Sequence, residues 1–163
     1  MIRVLDIKYG TSVDGTGLRT SIYCAGCCHR CSGCHNPQSW DENGGTPVAV
    51  KELFNSIMEA DMNVTFTGGD PMLNPHGFIS LAKLIKENSS KNIWCYTGFV
   101  FEDLLLQPQR LKLLELCDVL VDGPFIEKLR DTSLHFKGSS NQRIIDVQAS
   151  LKSNRTILLD LEF

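Results

Sequence analysis

Short apolar segments and amphipathic stretches alternate along most of the chain. Residues 19–24, 63–67, 92–96 and 118–121 are rich in β-branched and aromatic side chains, as strands are. The last three of these segments each end in a glycine-bearing turn, and the first runs directly into a cysteine-rich loop. The pattern therefore predicts four strands, separated by connections that are long enough for helices.

Helical periodicity marks the connections between these strands. The first predicted helix has its apolar residues on one face, at positions i, i+3, i+4, i+7 and i+8: Val50, Leu53, Phe54, Ile57 and Met58. We predict that it begins at Thr46 and Pro47, because threonine is a good N-cap residue and proline suits the first helical position. Asn74 and Pro75 predict the start of a second helix, and two short helices are expected around Pro108.

The order of these elements, βαβαβα, is typical of an α/β fold with a parallel sheet and right-handed crossovers. A closed eight-fold barrel takes about 250 residues, and this chain has 163. We therefore predict an incomplete (βα) barrel of about five or six mostly parallel strands, built as a single domain over residues 1–163. Residues 1–10 are a candidate edge strand, 143–147 and 156–161 are weaker strand candidates, and 125–142 are predicted to form a polar loop.

Charge and composition exclude several classes of function. The net charge is −3 and the lysine and arginine residues are scattered, so neither nucleic acid nor an anionic membrane is an expected partner. No apolar run approaches the roughly 20 residues needed to cross a bilayer, and the first residues lack the apolar region of a secretory signal. Seven cysteines without such a signal predict a reducing, cytoplasmic location, where thiols serve metals and catalysis.

Five of the seven cysteines are crowded into residues 24–34, among glycine, serine, histidine and arginine. These neighbours are poor core material, and thiolates at such close range repel one another unless a positive centre lies among them. The crowding therefore predicts a metal or iron–sulfur site rather than a packing role. Cys95 and Cys117, which lie apart from the others, are interpreted as core residues.

Three registers of cysteine ligands are compatible with the spacing. Cys24 and Cys27 could form a zinc site with Cys31 and Cys34, although zinc ribbons separate such pairs by about 15–20 residues. Cys28-x2-Cys31-x2-Cys34 matches a ferredoxin run that lacks its fourth cysteine. Cys27-x3-Cys31-x2-Cys34 would give three thiolates to a cubane cluster and leave one iron open. Spacing alone does not choose among these registers.

The cysteine loop and the glycine turns all follow predicted strands. Ligands in parallel α/β proteins bind at the carboxyl ends of strands, so we expect these segments to meet at one edge of the sheet. Gly68 and Gly69 lack a Cβ, which would let their backbone approach a ligand closely. On its own, this pair of glycines also fits a plain strand–helix turn.

The motif C-x3-C-x2-C resembles that of the radical S-adenosylmethionine (SAM) enzymes. Within that group, the surrounding residues resemble the activating proteins of anaerobic ribonucleoside-triphosphate reductase. The similar segments run in order from about residue 13 to residue 146: 14–19, 26–34 with Asn36 and Trp40, 67–71, 96–99, 118–123 and 138–142. They cover most of the chain, and together they are far more specific than the cysteines alone.

The resemblance implies a radical SAM core and a 4Fe–4S cluster held by Cys27, Cys31 and Cys34, with one iron left open. It implies that SAM binds this iron, and that an external one-electron reductant drives its cleavage to methionine and a 5′-deoxyadenosyl radical. The expected protein partner is the large, glycyl-radical subunit of anaerobic ribonucleoside-triphosphate reductase, from which that radical takes a glycine hydrogen.

The resemblance also implies cofactor-binding residues. It places the methionyl part of SAM at Gly68, Gly69 and Asp70, where Asp70 stands in place of the usual glutamate. Gly33 stands where many radical SAM enzymes have an aromatic residue beside the adenine, and His35 is then the candidate for that contact. Residues 123–142 are expected to dock the reductase or to order the edge of the cavity that it enters.

Several residues near these motifs have other interpretations. Cys24 ends a strand and is interpreted as buried, while Cys28 competes with Cys27 for iron. His29 matches no ligand of the family and receives no role. Arg19 is expected either to contact a carboxylate or to form a surface ion pair.

Three alternatives to the reductase activator stay open. Two of them share its chemistry, namely an activase of pyruvate formate-lyase and a short radical SAM enzyme of deazapurine synthesis. The third belongs to another class, a zinc-binding interaction module. Such a module would explain the cysteines but not the turn formed by residues 67–71.

Overall fold

The computed structural model describes residues 1–162. Its strands are β1 (Ile2–Thr11), β2 (Arg19–Cys24), β3 (Thr46–Val48), β4 (Asn63–Gly68), β5 (Ile93–Tyr96), β6 (Val119–Asp122) and β7 (Arg143–Asp146). Its helices are α1 (Val50–Ala60), α2 (His76–Asn88), α3 (Phe101–Leu104), α4 (Pro108–Leu114) and α5 (Val147–Ser153), with 3-10 turns at Pro37–Ser39 and Glu127–Leu129. Within residues 1–162, no helix combines the length and the apolarity needed to cross a membrane.

All seven strands belong to one mixed sheet, in the order β3-β1-β2-β4-β5-β6-β7. The α/β class is confirmed, since β2, β4, β5 and β6 run parallel with helices between them. The prediction of five or six mostly parallel strands is wrong, because three of the six neighbouring pairs are antiparallel. The strand at the start of the chain is also not at an edge, since β1 pairs with both β2 and β3. Antiparallel neighbours need no crossover helix, so the helical pattern gave no sign of them.

The start of the first helix differs from the prediction. Thr46 and Pro47 belong to β3, where Pro47 lies opposite Arg3 on an edge strand. Proline is tolerated at a sheet edge, because its missing N–H then removes no ladder bond. Helix α1 begins only after Ala49, and its predicted face is buried as expected. The second helix begins at His76, within one residue of the prediction.

The carboxy-terminal part of the sheet was predicted in part. The strand candidate at 143–147 is confirmed as β7. The candidate at 156–161 is wrong, because within it the structure has only an isolated bridge between Ile145 and Leu158. Helix α5 was not predicted, although Asp146 caps it through a hydrogen bond from the Ala149 amide at 3.1 Å.

The sheet is buried on both faces, and the two faces differ. One face carries the main core, to which β2, β4 and β5 contribute Ile22, Phe66 and Cys95. The other face carries a smaller cluster built on Trp94, Val119 and Val121. Successive residues of a strand point to opposite faces, so β5 and β6 contribute to both clusters. The interpretation of Cys24, Cys95 and Cys117 as buried residues is confirmed.

Arg19 is fully buried, so the surface ion pair is wrong. Its guanidinium donates to the Thr65 hydroxyl at 2.8 Å, to the Val64 carbonyl at 2.8 Å and to Asn92 Oδ1 at 2.6 Å. Its guanidinium carbon also lies 5.4 Å from the centre of the Trp94 ring. Desolvation by this burial lowers the pKa of Arg19 to about 10. The buried cation therefore ties β2 to β4 and β5 through neutral acceptors.

Replacing Arg19 should destabilise the sheet. We expect Arg19→Met to lower the free energy of unfolding by about 3 kcal/mol, because buried acceptors such as the Val64 carbonyl lose their donor. Urea denaturation of the full chain measures this change. The exposed Arg155 offers a matched control, and Arg155→Met should change the free energy by less than about 0.5 kcal/mol. Equal midpoints for the two variants would contradict the structural role of Arg19.

Candidate cofactor site

A cavity of about 410 Å³ opens at the carboxyl ends of the parallel strands. The cysteine loop after β2, the turn after β4 and the turn after β5 form three of its walls. Parts of the segment 123–142 close another side. The sheet topology brings these segments together, because parallel neighbours end at the same edge.

The cysteines of the loop divide among different surroundings. Cys27, Cys31 and Cys34 all line the cavity and are partly exposed. Cys28 is exposed and lies in an outer depression beside Trp40, and Cys24 is buried beside a separate cavity. Of the three registers that the spacing left open, only Cys27-x3-Cys31-x2-Cys34 has every thiol on the main cavity. The zinc register would need Cys24 to leave the core.

The surroundings of these thiols fit an iron–sulfur cluster. The Asn36 amide lies 3.4 Å from Cys34 Sγ, and the His29 amide donates to Cys27, as backbone amides do around cluster sulfurs. Burial raises the pKa of the Cys27 thiol to about 11, and a bound metal would reverse this by deprotonating the thiol. Among residues 1–162, no group of three His, Cys, Asp or Glu converges on the point where a single ion would sit. A cubane does not need such convergence, since each cysteine binds a different iron.

Gly68 and Gly69 line the cavity, but the close approach that they permit is to the protein's own chain. A Cβ on Gly68, whose φ is +102°, would lie 2.4 Å from the Cys24 nitrogen. A Cβ on Gly69 would lie 2.4 Å from the Gly26 carbonyl oxygen. Two backbone hydrogen bonds of 2.7 Å stabilise this contact. The Gly69 amide donates to the Cys24 carbonyl, and the Asp70 amide donates to the Gly26 carbonyl. The missing Cβ atoms therefore make room for the start of the cysteine loop, and the contact of these glycines with a ligand stays a prediction.

Asp70 is buried and its carboxylate takes part in four hydrogen bonds. Oδ1 accepts the Met72 amide at 2.9 Å. Oδ2 accepts the Thr97 hydroxyl at 2.9 Å and the Gly98 amide at 3.0 Å. The fourth partner of the carboxylate is His29, whose Nε2 lies 2.6 Å from Oδ2. Asp70 therefore joins the turn after β4, the turn after β5 and the cysteine loop.

His29 is the site residue that sequence reasoning missed. Its ring meets Phe99 edge-on, with the centroids 4.5 Å apart. A Cβ on Gly98 would lie only 2.4 Å from the His29 ring, so the ring packs directly on the turn after β5. Arg110 covers Phe99 at 4.1 Å and donates to the Met72 carbonyl at 2.6 Å. The position of His29 between two cysteines was a signal, but a partner 41 residues away leaves no mark in the sequence.

The two residues predicted to lie beside the adenine have different surroundings. His35 is exposed and lines the cavity, with its ring centroid 5.6 Å from that of Phe125. Gly33 has a φ of +74° and packs against Glu127, whose carboxylate carbon lies 2.9 Å from the position of a Cβ. Gly33 therefore shapes the loop, while His35 faces the space that a ligand could occupy.

The wall formed by residues 123–142 is held by its own hydrogen bonds. Gln142 Oε1 accepts the Gly138 amide at 2.8 Å and the Ser139 amide at 3.3 Å. Gln142 Nε2 donates to the Gly123 carbonyl at 3.0 Å, and Lys137 Nζ donates to the Gln142 carbonyl at 3.0 Å. The segment was predicted to be a polar loop, and the structure adds a short 3-10 turn and a bridge to it.

The cavity floor also carries polar groups. The Tyr96 hydroxyl is buried and finds no hydrogen-bond partner among the residues that the structure describes. Asp14 lines the same cavity and accepts a short hydrogen bond from the Tyr23 hydroxyl. Burial raises the pKa of Tyr23 and of Tyr96, so both remain neutral donors at physiological pH. The cavity is thus suited to a ligand with polar atoms.

Comparison with known proteins gives consistent results. Residues 13–145 match the family described as "4Fe-4S single cluster domain". The chain is 34% identical over 140 residues to the anaerobic ribonucleoside-triphosphate reductase-activating protein of Escherichia coli, covering 80% of this chain and 89% of that protein. Proteins of the same name are 35% identical over 142 residues in Salmonella typhimurium (80% and 89% covered) and 35% identical over 143 residues in Vibrio cholerae (81% and 90% covered).

The family match covers the cysteine loop, both strand-end turns and the whole 123–142 wall. These matches confirm the resemblance predicted from the motifs. The chain belongs to the family of anaerobic ribonucleoside-triphosphate reductase-activating proteins, which carries a 4Fe–4S single cluster domain.

Proposed function

We propose that this chain is a radical SAM activase, which cleaves SAM at a 4Fe–4S cluster and generates a glycyl radical on anaerobic ribonucleoside-triphosphate reductase. The observation that carries the proposal is the shared cavity, onto which Cys27, Cys31 and Cys34 open together with the turn at Gly68 and Gly69. The names of the relatives support the choice of reductase.

In this proposal, Cys27, Cys31 and Cys34 hold the cluster and leave one iron without a protein ligand. When bound and reduced by an external one-electron donor, the cluster would supply the electron for cleavage of SAM to methionine and a 5′-deoxyadenosyl radical, and that radical would take a hydrogen atom from a glycine of the reductase. The amides of His29 and Asn36 stabilise the ligating sulfurs. The seven free cysteines support a reducing, cytoplasmic setting for this chemistry.

We place the methionyl part of SAM against the turn of Gly68, Gly69 and Asp70, and the adenine toward His35 near Gly33. Support comes from the cavity, which Gly68, Gly69, Asp70 and His35 line together. Asp70 would act mainly by fixing this turn, because its carboxylate is already engaged by four donors. The free Tyr96 hydroxyl on the cavity floor would donate to a polar atom of the bound ligand.

We also propose that the sheet is an incomplete radical SAM barrel. Four parallel strands supply the edge at which the cavity opens, and the antiparallel strands extend the sheet on both sides. The large subunit of the reductase would bring its glycine loop to the open side, beside Phe125, Leu134 and Phe136. Scattered basic residues and a net charge of −3 support a protein partner rather than nucleic acid or membrane.

Cysteine substitutions test the ligand register. After anaerobic reconstitution, we expect Cys27→Ala to lose most of its iron and its cluster EPR signal, because the cluster loses one of three ligands. Cys28→Ala is the matched control, since Cys28 is the exposed neighbour and should be dispensable. A normal cluster in Cys27→Ala combined with a lost cluster in Cys28→Ala would show that the register is wrong.

Gly69→Ala tests the contact between the turn and the cysteine loop. The new Cβ would lie 2.4 Å from the Gly26 carbonyl oxygen, so the backbone must shift next to Cys27. We expect both iron incorporation and SAM affinity to fall, because the turn and the loop move together. Gly10→Ala serves as a control for general backbone strain, because the φ of Gly10 is +70° and disfavours alanine, while a Cβ there meets nothing within 4 Å. Unchanged SAM binding in Gly69→Ala would contradict the assignment of this turn.

The partner is tested by mixing the reduced, SAM-loaded protein with the anaerobic reductase of the same cell. We expect a glycyl-radical EPR doublet on the reductase and a matching amount of 5′-deoxyadenosine. A doublet formed only on pyruvate formate-lyase would reassign the partner. Deoxyadenosine without any protein radical would contradict the activase function but not the cleavage of SAM.

A further inference from the structure

Besides backbone bonds at its start, the cysteine loop is joined to the strand-end turns by one side-chain hydrogen bond. Among the described residues of the segment 27–34, the only side-chain hydrogen bond to either turn is that of His29 to Asp70, at 2.6 Å. The exposed fractions of the two side chains are 15% and 1%, so the bond is largely shielded from water. A hydrogen bond to a charged group in such a place is among the stronger ones in proteins.

The other partners of Asp70 define the direction of this bond. Oδ2 already accepts the Thr97 hydroxyl and the Gly98 amide, and an ionised carboxylate offers only acceptors. His29 Nε2 must therefore carry the hydrogen and donate it. The imidazole then connects the cysteine loop to Asp70 in a fixed orientation. It is neither a free base nor an additional ligand.

The ring of His29 is held on its other sides as well. Phe99 meets it edge-on at 4.5 Å between centroids, and the absence of a Cβ at Gly98 lets the ring lie against the backbone. Arg110 stacks on Phe99 at 4.1 Å and is itself anchored to the Met72 carbonyl. The orientation of His29 is thus set by three elements of the fold: the turn after β4, the turn after β5 and helix α4.

We infer that His29 is a positioning residue, which clasps the cysteine loop to Asp70 and so fixes the cluster relative to the turn that holds SAM. This inference rests on the proposed function and adds to it a residue that binds neither cofactor. The loop between Cys27 and Cys31 also has Arg30 at a positive φ of 49°, a conformation that needs support from its surroundings. The bond between His29 and Asp70 lies one residue away from Arg30.

The first experiment needs no cofactor. Amide hydrogen exchange of the full chain before reconstitution should be faster in the segment 28–36 of His29→Ala than in the wild type, because this part of the loop loses its side-chain bond to Asp70. His29→Gln should restore most of the protection, since the glutamine Nε2 can donate from a similar position. His76→Ala is the matched control, an exposed histidine at the start of α2. Equal exchange in His29→Ala and the wild type would overturn the inference.

The second experiment uses the reconstituted protein. We expect His29→Ala to keep its iron, to bind SAM about tenfold more weakly, and to lose the change that SAM causes in the EPR spectrum of the reduced cluster. His29→Gln should recover both the affinity and the spectral change. A general loss of stability would lower the iron content as well, so it would not combine retained iron with a lost spectral response.

Two results would overturn the inference that His29 holds the cysteine loop to Asp70. One is wild-type SAM affinity with a wild-type spectral response in His29→Ala. The other is loss of iron in both His29→Ala and His29→Gln, which would make His29 a ligand or a folding residue. If wild-type protein takes up a cluster but does not bind SAM, the proposed function fails, and hydrogen exchange alone then decides whether His29 holds the loop.

Discussion

The buried carboxylate of Asp70 is the constraint on which the site depends. A buried carboxylate needs hydrogen-bond donors, because an unpaired one costs several kcal/mol. Here the donors come from the turn after β4, the turn after β5 and the cysteine loop, through Met72, Thr97, Gly98 and His29. Three loops therefore share one side-chain anchor, in addition to the backbone bonds between the cysteine loop and the turn after β4. The relative positions of these loops follow from this satisfied polar group.

The sheet determines where these loops meet. Parallel pairing puts Cys24 opposite Gly68 at the ends of β2 and β4, so the cysteine loop and the glycine turn start side by side. Buried Arg19 holds the opposite ends of the same strands through Val64 and Asn92. One end of the sheet is thus fixed by a cation with neutral acceptors, and the other by a carboxylate. Polar groups at both ends thus hold the strands in their register, and the apolar core packs between these two ends.

The sequence predicted the parallel strands well, because each is a short apolar run that ends at a turn or the cysteine loop. It did not predict β3, since Thr46 and Pro47 suit an edge strand as well as a helix start. Spacing left three cysteine registers open because all of them share Cys31 and Cys34. Only the burial of Cys24 and the position of Cys28 distinguish them. Contacts between residues far apart in sequence, such as that of His29, depend on the folded topology and have no local pattern.

The motif after β4 shows that a residue typical of ligand binding can also serve the chain itself. Gly69 is small because the Gly26 carbonyl lies where its side chain would be, and Asp70 is acidic because four protein donors converge on it. A ligand placed against this turn would therefore contact a surface that the cysteine loop has already shaped. It follows that, in the proposed function, the binding of the cluster and the binding of SAM are mechanically linked. A substitution that moves the turn must also move Cys27, so the affinity for the cluster and the affinity for SAM should change together. His29 differs, because its side chain only joins the cysteine loop to the turn.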